Sequence, residues 1–328
     1  MCRVSLLASL ALAVASHSVG VAQTPADVAG QWKLKLGQRV FLVLALSPSN
    51  EHGGPVSGTL SRPAHFQTAD AVSFSNVEGP TEVEPVIASE WKGNALLLTV
   101  QNPKDTSDVD KFLFSIKDSA HAELQFEGVP LPPLKLERAA GIVSVGNDWR
   151  AGQIYSPDDD SPSNPKMKGI FDEDQRVRQS YPNIDWSSVN KTDATRRAET
   201  MQLLKDGDLH SGEDFTWAAF IFQHGSTPDD YLLAHTLAVI AIRKGYSDAT
   251  WIASATLDRY LQSIKQPQIY GTQFLTPDKQ PTTQDPYNRT LIPDALRRQL
   301  GVPDIPAQKL QQQQYDSQRH IDIKSGQP

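Results

Sequence analysis

The chain has 328 residues, a formal net charge of −7 and an isoelectric point near 5.6. No dense Lys/Arg cluster interleaved with aromatics offsets that acidity, and phosphate neutralisation needs such a basic footprint, so the composition weighs against nucleic-acid binding. The only cysteine is Cys2; a chain cleaved beyond it has no disulfide, thiol nucleophile or thiolate metal site, and its cores alone must hold it.

Met1-Cys2-Arg3 starts positive, an apolar stretch runs from Leu6 to Ala15, and Gly20 and Ala22 are small residues at the −3 and −1 positions of a cleavage site. This is the pattern of a signal peptide over 1–22. The expectation is an exported bacterial protein, periplasmic or extracellular. The apolar stretch is shorter than the roughly 20 residues a spanning helix needs, so no membrane span is expected.

Residues 27–140 carry short β-like runs. Gln31 to Leu36 alternates polar and apolar, and Val40 to Leu44 reads as a more buried strand. Further strands are expected at 56–60, 71–74, 86–91, 95–100, 112–116, 122–126 and 134–136. Turn signals separate them, among them His52-Gly53-Gly54-Pro55, Glu78-Gly79-Pro80 and Lys92-Gly93-Asn94. Many short strands with no helical segments between them predict an antiparallel β-sandwich or barrel. Gly30-Gln31-Trp32 resembles the Gly-x-Trp opening of lipocalin-type barrels, and Trp32 is read as a core plug.

Residues 141–165 form an expected linker, because Ser156 to Pro165 is rich in Pro, Ser and Asp. Asp158-Asp159-Asp160 lacks the spaced ligands and turn glycine of a calcium loop, so a solvated acidic stretch is expected.

Helical periodicity takes over at 166–275, for which a helical bundle is predicted. Helices are expected at 165–180, at 193–205 after Thr192, at 213–223, at 228–244 after Thr227, and at 248–264 after Ser247. Residues 276–328 read as an extended, partly helical and loosely packed or partly disordered tail, with a helix at 293–300 and a glutamine run, Gln311 to Gln314, within 309–315.

Polar residues at the edges of these apolar segments must find a partner or a ligand if buried. His224 follows the helix carrying Trp217, Phe220 and Ile221, where an imidazole either satisfies the last carbonyls or serves as an acid or base. Asp258 and Arg259 are adjacent on a helix and diverge by about 100°, so at least one turns toward the apolar face. A structural ion pair from Asp258 to Arg196 or Arg176 is the plainer reading of that position. The His224, Asp258 and Arg259 trio is the candidate catalytic set. Gln223, His235, Gln268, Tyr270, Thr272 and Gln273 are the candidate ligand-binding residues. His210, His224 and His235 lack the spacing of a metal site, and neither a Gly-x-Ser-x-Gly elbow nor a phosphate-binding glycine loop occurs. No metal and no cofactor are therefore expected.

Phe222-Gln223-His224-Gly225, Leu257-Asp258-Arg259 and Gln268-Ile269-Tyr270-Gly271-Thr272-Gln273, with the intervening alanine-rich helix that holds His235, resemble the bacterial family named domain of unknown function 6624. The resemblance spans about 172–274, with Asp172 to Arg176 at its opening. It implies candidate positions and no activity. The readings that stand are a ligand-binding or interaction module for a small molecule or an envelope component, and a hydrolase-type enzyme in which Asp258 orients His224 and Arg259 clamps an anion.

Overall fold

The computed structural model describes residues 23–49, 53–179 and 185–319. The expected leader, 1–22, lies outside the described residues, as do His52 of one expected turn, Ser180 of one expected helix, and 320–328 of the tail. The chain divides into two compact units, Met1–Tyr155 and Ser156–Pro328.

The first unit opens on a short helix, α1 (Pro25–Val28), and continues as β1 (Gly30–Leu36), β2 (Arg39–Pro48), β3 (Val56–Gln67), β4 (Ser75–Lys92), β5 (Ala95–Gln101), β6 (Val109–Ile116), β7 (His121–Phe126) and β8 (Leu134–Arg138). Each strand pairs antiparallel with its sequence neighbours, and β1 closes on β8 through Trp32 opposite Arg138 and Lys33 opposite Glu137. The sheet is thus a closed barrel, and the sandwich alternative falls away.

Alternation puts Trp32, Leu34 and Leu36 of β1 into the core together with Leu44, Leu60, Leu98, Phe114 and Leu136. Trp32 is fully buried, donates to the Val28 carbonyl at 2.9 Å, and meets Phe114 edge-on at 5.3 Å between ring centroids. The Arg138 guanidinium lies 4.0 Å from the Trp32 ring centroid while donating to the Ala29 and Asp27 carbonyls. One arginine thereby satisfies helix-end acceptors and caps the plug.

Two strand expectations need correction. Ala71–Phe74 is a bend and not a strand; only Phe74 pairs, with Tyr155. Glu78-Gly79-Pro80 is not a turn but part of β4, whose register against β3 shifts on both sides of His65. Only Val86–Lys92 pairs with β5, so Pro80 lies where β4 has a single neighbour and its missing N–H costs nothing. The 141–165 stretch is also less solvated than its composition suggests. Trp149 and Tyr155 pack with Phe41 and Phe74 in the barrel core.

The second unit contains α2 (Pro165–Arg178), α3 (Trp186–Asp206), α4 (Gly212–Phe222), α5 (Pro228–Arg243), α6 (Ala249–Ser263), α7 (Asp294–Gln299) and α8 (Ile305–Gln318). Ser211 and Thr227 each form a capping box, with Asp214 and Asp230 respectively, and Gly207 ends α3 in the left-handed conformation. Helix α3 starts nearly two turns before the expected cap Thr192, because Asp185 caps it by accepting from the Ser187 and Ser188 amides. Small residues bring α5 and α6 close: Ala234, Ala238, Ala241, Ala249 and Ala253 belong to one core with Leu203, Ile221, Phe222, Leu237 and Ile252. Ahead of α2, Asp158 and Asp159 accept from the Ser156 hydroxyl and face the ammonium of Lys244, a nearly buried cation that needs a counter-charge. Among the described residues no helix is long and apolar enough to cross a membrane.

Candidate functional site

Asp258 sits on the inner face of α6 and is fully buried. Its Oδ1 accepts from the Ile269 and Tyr270 amides at 2.8 and 3.0 Å, and its Oδ2 accepts from the Thr272 amide and hydroxyl at 3.0 and 2.8 Å. Four donors saturate the carboxylate, so it neither orients His224 nor pairs with Arg196 or Arg176. It holds the 268–273 loop instead.

That loop is braced from both sides. Gln268, fully buried, accepts from the Gln273 amide at 3.0 Å and donates to the Gln273 carbonyl at 2.9 Å. Gln273 reaches back to the Ala255 carbonyl of α6 at 3.1 Å. The Tyr270 carbonyl accepts from Gln308 at 2.9 Å, from the Tyr287 hydroxyl at 3.0 Å and from Arg297 at 3.3 Å. Arg297 is fully buried and Gln308 nearly so, so residues read as tail clamp the loop. Gly271 takes φ +83°, and a Cβ there would stand 2.2 Å from Gln308 Oε1, which leaves glycine as the residue that fits. Gln223 is buried at the C-cap of α4. His235 ties α5 to α6 through its Nδ1, 2.9 Å from the Ala253 carbonyl.

His224 faces a second cluster. Its Nε2 lies 3.6 Å from Asp174 Oδ2 of α2 and, though shut off from solvent, has no hydrogen-bond partner among the described residues. Arg178 donates to Asp174 Oδ1 at 2.5 Å and to Asp193 Oδ2 at 2.7 Å, and Arg196 donates to Asp193 Oδ1 at 2.8 Å. Burial, with the Arg178 and Arg259 charges, holds the imidazole down to about 3, a neutral ring at ordinary pH. Burial pushes Asp174 up to about 6 against the pull of Arg178, with Asp193 adding to the rise. The buried Asp-to-Arg pair at a spacing of four is thus Asp174 and Arg178; Asp172 and Arg176 make exposed pairs with Lys168 and Glu173.

Arg259 differs from every other arginine near it. Among the described residues it makes no ion pair and no side-chain hydrogen bond, and its Nε is closed off from solvent without a partner. Gln262, one turn further along α6, holds its Nε2 in the same condition. Burial lowers the affinity of Arg259 for its proton, and the Arg178 charge adds to that. Both residues line an open groove of about 400 Å³ with Tyr231 of α5 and with Gln273, Phe274 and Leu275. Of the candidates read from sequence, Arg259 and Gln273 meet in this groove, Gln268, Tyr270, Thr272 and Asp258 lie in the brace behind it, Gln223 and His235 do not line it, and His224 feels the Arg259 charge without lining it. Asp174, Arg178, Asp193 and Gln262 were not singled out from sequence. The signals for them are the i,i+4 spacing of Asp174 and Arg178, one helical turn beyond Ile170, and the i,i+3 spacing of Arg259 and Gln262. His210, His224 and His235 face three different partners, Asp158, Asp174 and the Ala253 carbonyl. No family model, curated protein or solved structure matches the chain.

Proposed function

We propose that the helical unit is a small-molecule-binding module and that its site is the groove along α6. The observation that carries the reading is the pair of unpartnered nitrogens on Arg259 and Gln262, two polar side chains that line the same groove. Polar groups shut away from water almost always have partners, so two such nitrogens one turn apart define a place where a ligand supplies acceptors. The brace around Asp258 has the complementary role, fixing Gln273, Phe274 and Leu275 as the opposite wall. We read the helices as a bundle that presents this wall, and the chain as an exported protein by virtue of the 1–22 leader pattern. The candidate likeness to domain of unknown function 6624 adds positions but no chemistry. The hydrolase-type alternative loses its carboxylate, because Asp258 is saturated by the loop.

A fragment screen of the full chain by nuclear magnetic resonance tests the reading. Hits are expected to perturb the amides of Gln273, Phe274 and Leu275 together with the Arg259 side chain. Hits that cluster on the barrel, or only around Asp174 and His224, would overturn it.

A further inference from the structure

We infer that the ligand of this groove is a small organic carboxylate: one negative charge for Arg259, with an apolar body against Phe274 and Leu275. The inference rests on the groove being the binding site and names the ligand's class. Arg259 brings five N–H donors and one positive charge, and no carboxylate among the described residues answers them. Tyr231 of the groove favours the charged form of Arg259 but is a phenol and brings no carboxylate, and Arg178 is a second cation that opposes it. A planar carboxylate matches the planar guanidinium fork with two parallel hydrogen bonds. Gln262 adds a donor one turn away, and the broad terminal torsion of a glutamine side chain lets its amide turn toward the same anion at little cost. The single arginine argues for one charge, because a second would go unmatched in a half-dry groove. Phe274 and Leu275 give the remainder of the ligand an apolar surface, with the Phe274 ring fixed edge-on against Tyr315 at 5.2 Å.

Titration of the full chain with sodium benzoate, benzamide and inorganic phosphate, followed through the Arg259 Nε–H resonance and the Gln273 to Leu275 amides, tests both levels separately. Arg259→Gln assigns the side-chain resonance and is expected to leave the unfolding temperature in place, since Arg259 has no hydrogen-bond or ion-pair partner among the described residues that it would strand. Saturable shifts with benzoate, at least ten-fold weaker binding of benzamide and phosphate, and a ten- to hundred-fold loss in Arg259→Gln support the inference. Gln262→Leu is expected to weaken benzoate several-fold. Equal binding of benzamide, tighter binding of phosphate, or unchanged benzoate binding in Arg259→Gln would overturn the carboxylate while the groove stands. No shift of any groove resonance with any of the three probes would overturn the groove as well.

Discussion

Replacing Asp258 by alanine removes the acceptor of four hydrogen bonds at once, those from Ile269, Tyr270 and the amide and hydroxyl of Thr272. A typical hydrogen bond contributes about 1 kcal/mol net, and a buried donor left without a partner costs about 1–3 kcal/mol. Asp258 is fully buried, so solvent does not replace it outright. A water admitted to the vacated space recovers part of the loss, and the expected cost is about 3–5 kcal/mol, a large share of a domain's stability. Asp258→Asn should cost less, about 2 kcal/mol, because the amide oxygen still accepts from one side of the loop while its NH2 opposes the Thr272 amide. Urea unfolding of the full chain, with hydrogen exchange at the Ile269, Tyr270 and Thr272 amides, reads both effects. Those three amides should lose protection first. A shift within about 0.5 kcal/mol for Asp258→Ala, the range of an ordinary surface change, would refute the brace.

Gly271→Ala should destabilise by more than about 1 kcal/mol, since it meets both a positive φ and the Gln308 and Tyr287 side chains; thermal unfolding checks it, and an unchanged midpoint contradicts it. The His224 ring, held down to about 3 in the fold against an ordinary 6.5, binds its proton later than in the unfolded chain, so acid should erode stability from about pH 6.5 downward. Asp174, raised from 3.8 to about 6, acts in the opposite sense, its folded form taking a proton first and offsetting part of that loss between about pH 6 and 4. His224→Gln should therefore flatten the acid decline and Asp174→Asn steepen it, as read by unfolding free energy against pH; parallel curves for both variants and wild type would sink this account of the cluster. Arg138→Ala should lower the melting temperature of the barrel unit, through three lost carbonyl contacts, to Asp27, Ala29 and Ser119, and an uncapped Trp32, and a shift too small to measure would count against the cap.

Much of this fold was readable because burial imprints periodicity. Alternation in Gln31 to Leu36 and the apolar runs at 95–100 and 112–116 marked barrel strands. The Thr227-Pro228 step marked the start of α5. The first half of β4 was hidden because its Glu-rich, largely exposed residues bury few apolar side chains and carry no alternation to find. The start of α3 was hidden for a similar reason, since Ser187 to Lys191 is polar and Val189 alone among these residues turns inward. At the site, sequence placed the right segments and mispaired them. A helical repeat says that Asp258 faces inward but not what it meets, and its partners are backbone amides, which no side-chain pattern reveals. Arg259 was visible as half of an adjacent pair. Its lack of a partner was not, because that depends on which helices meet.

The claim that Arg259 is held for a ligand and not for the fold is tested most directly by comparing thermal unfolding of wild type and Arg259→Gln with and without small molecules that stabilise the wild type. Saturating ligand at about a hundred times its Kd adds about 2.7 kcal/mol to a folded state that binds it. The account predicts that the variant melts within about a degree of wild type in buffer and that compounds raising the wild-type midpoint raise the variant's by about half as much or less, as a ten- to hundred-fold weaker Kd requires. A variant that unfolds several degrees early without ligand, or that gains the same stabilisation from the same compounds, would contradict it.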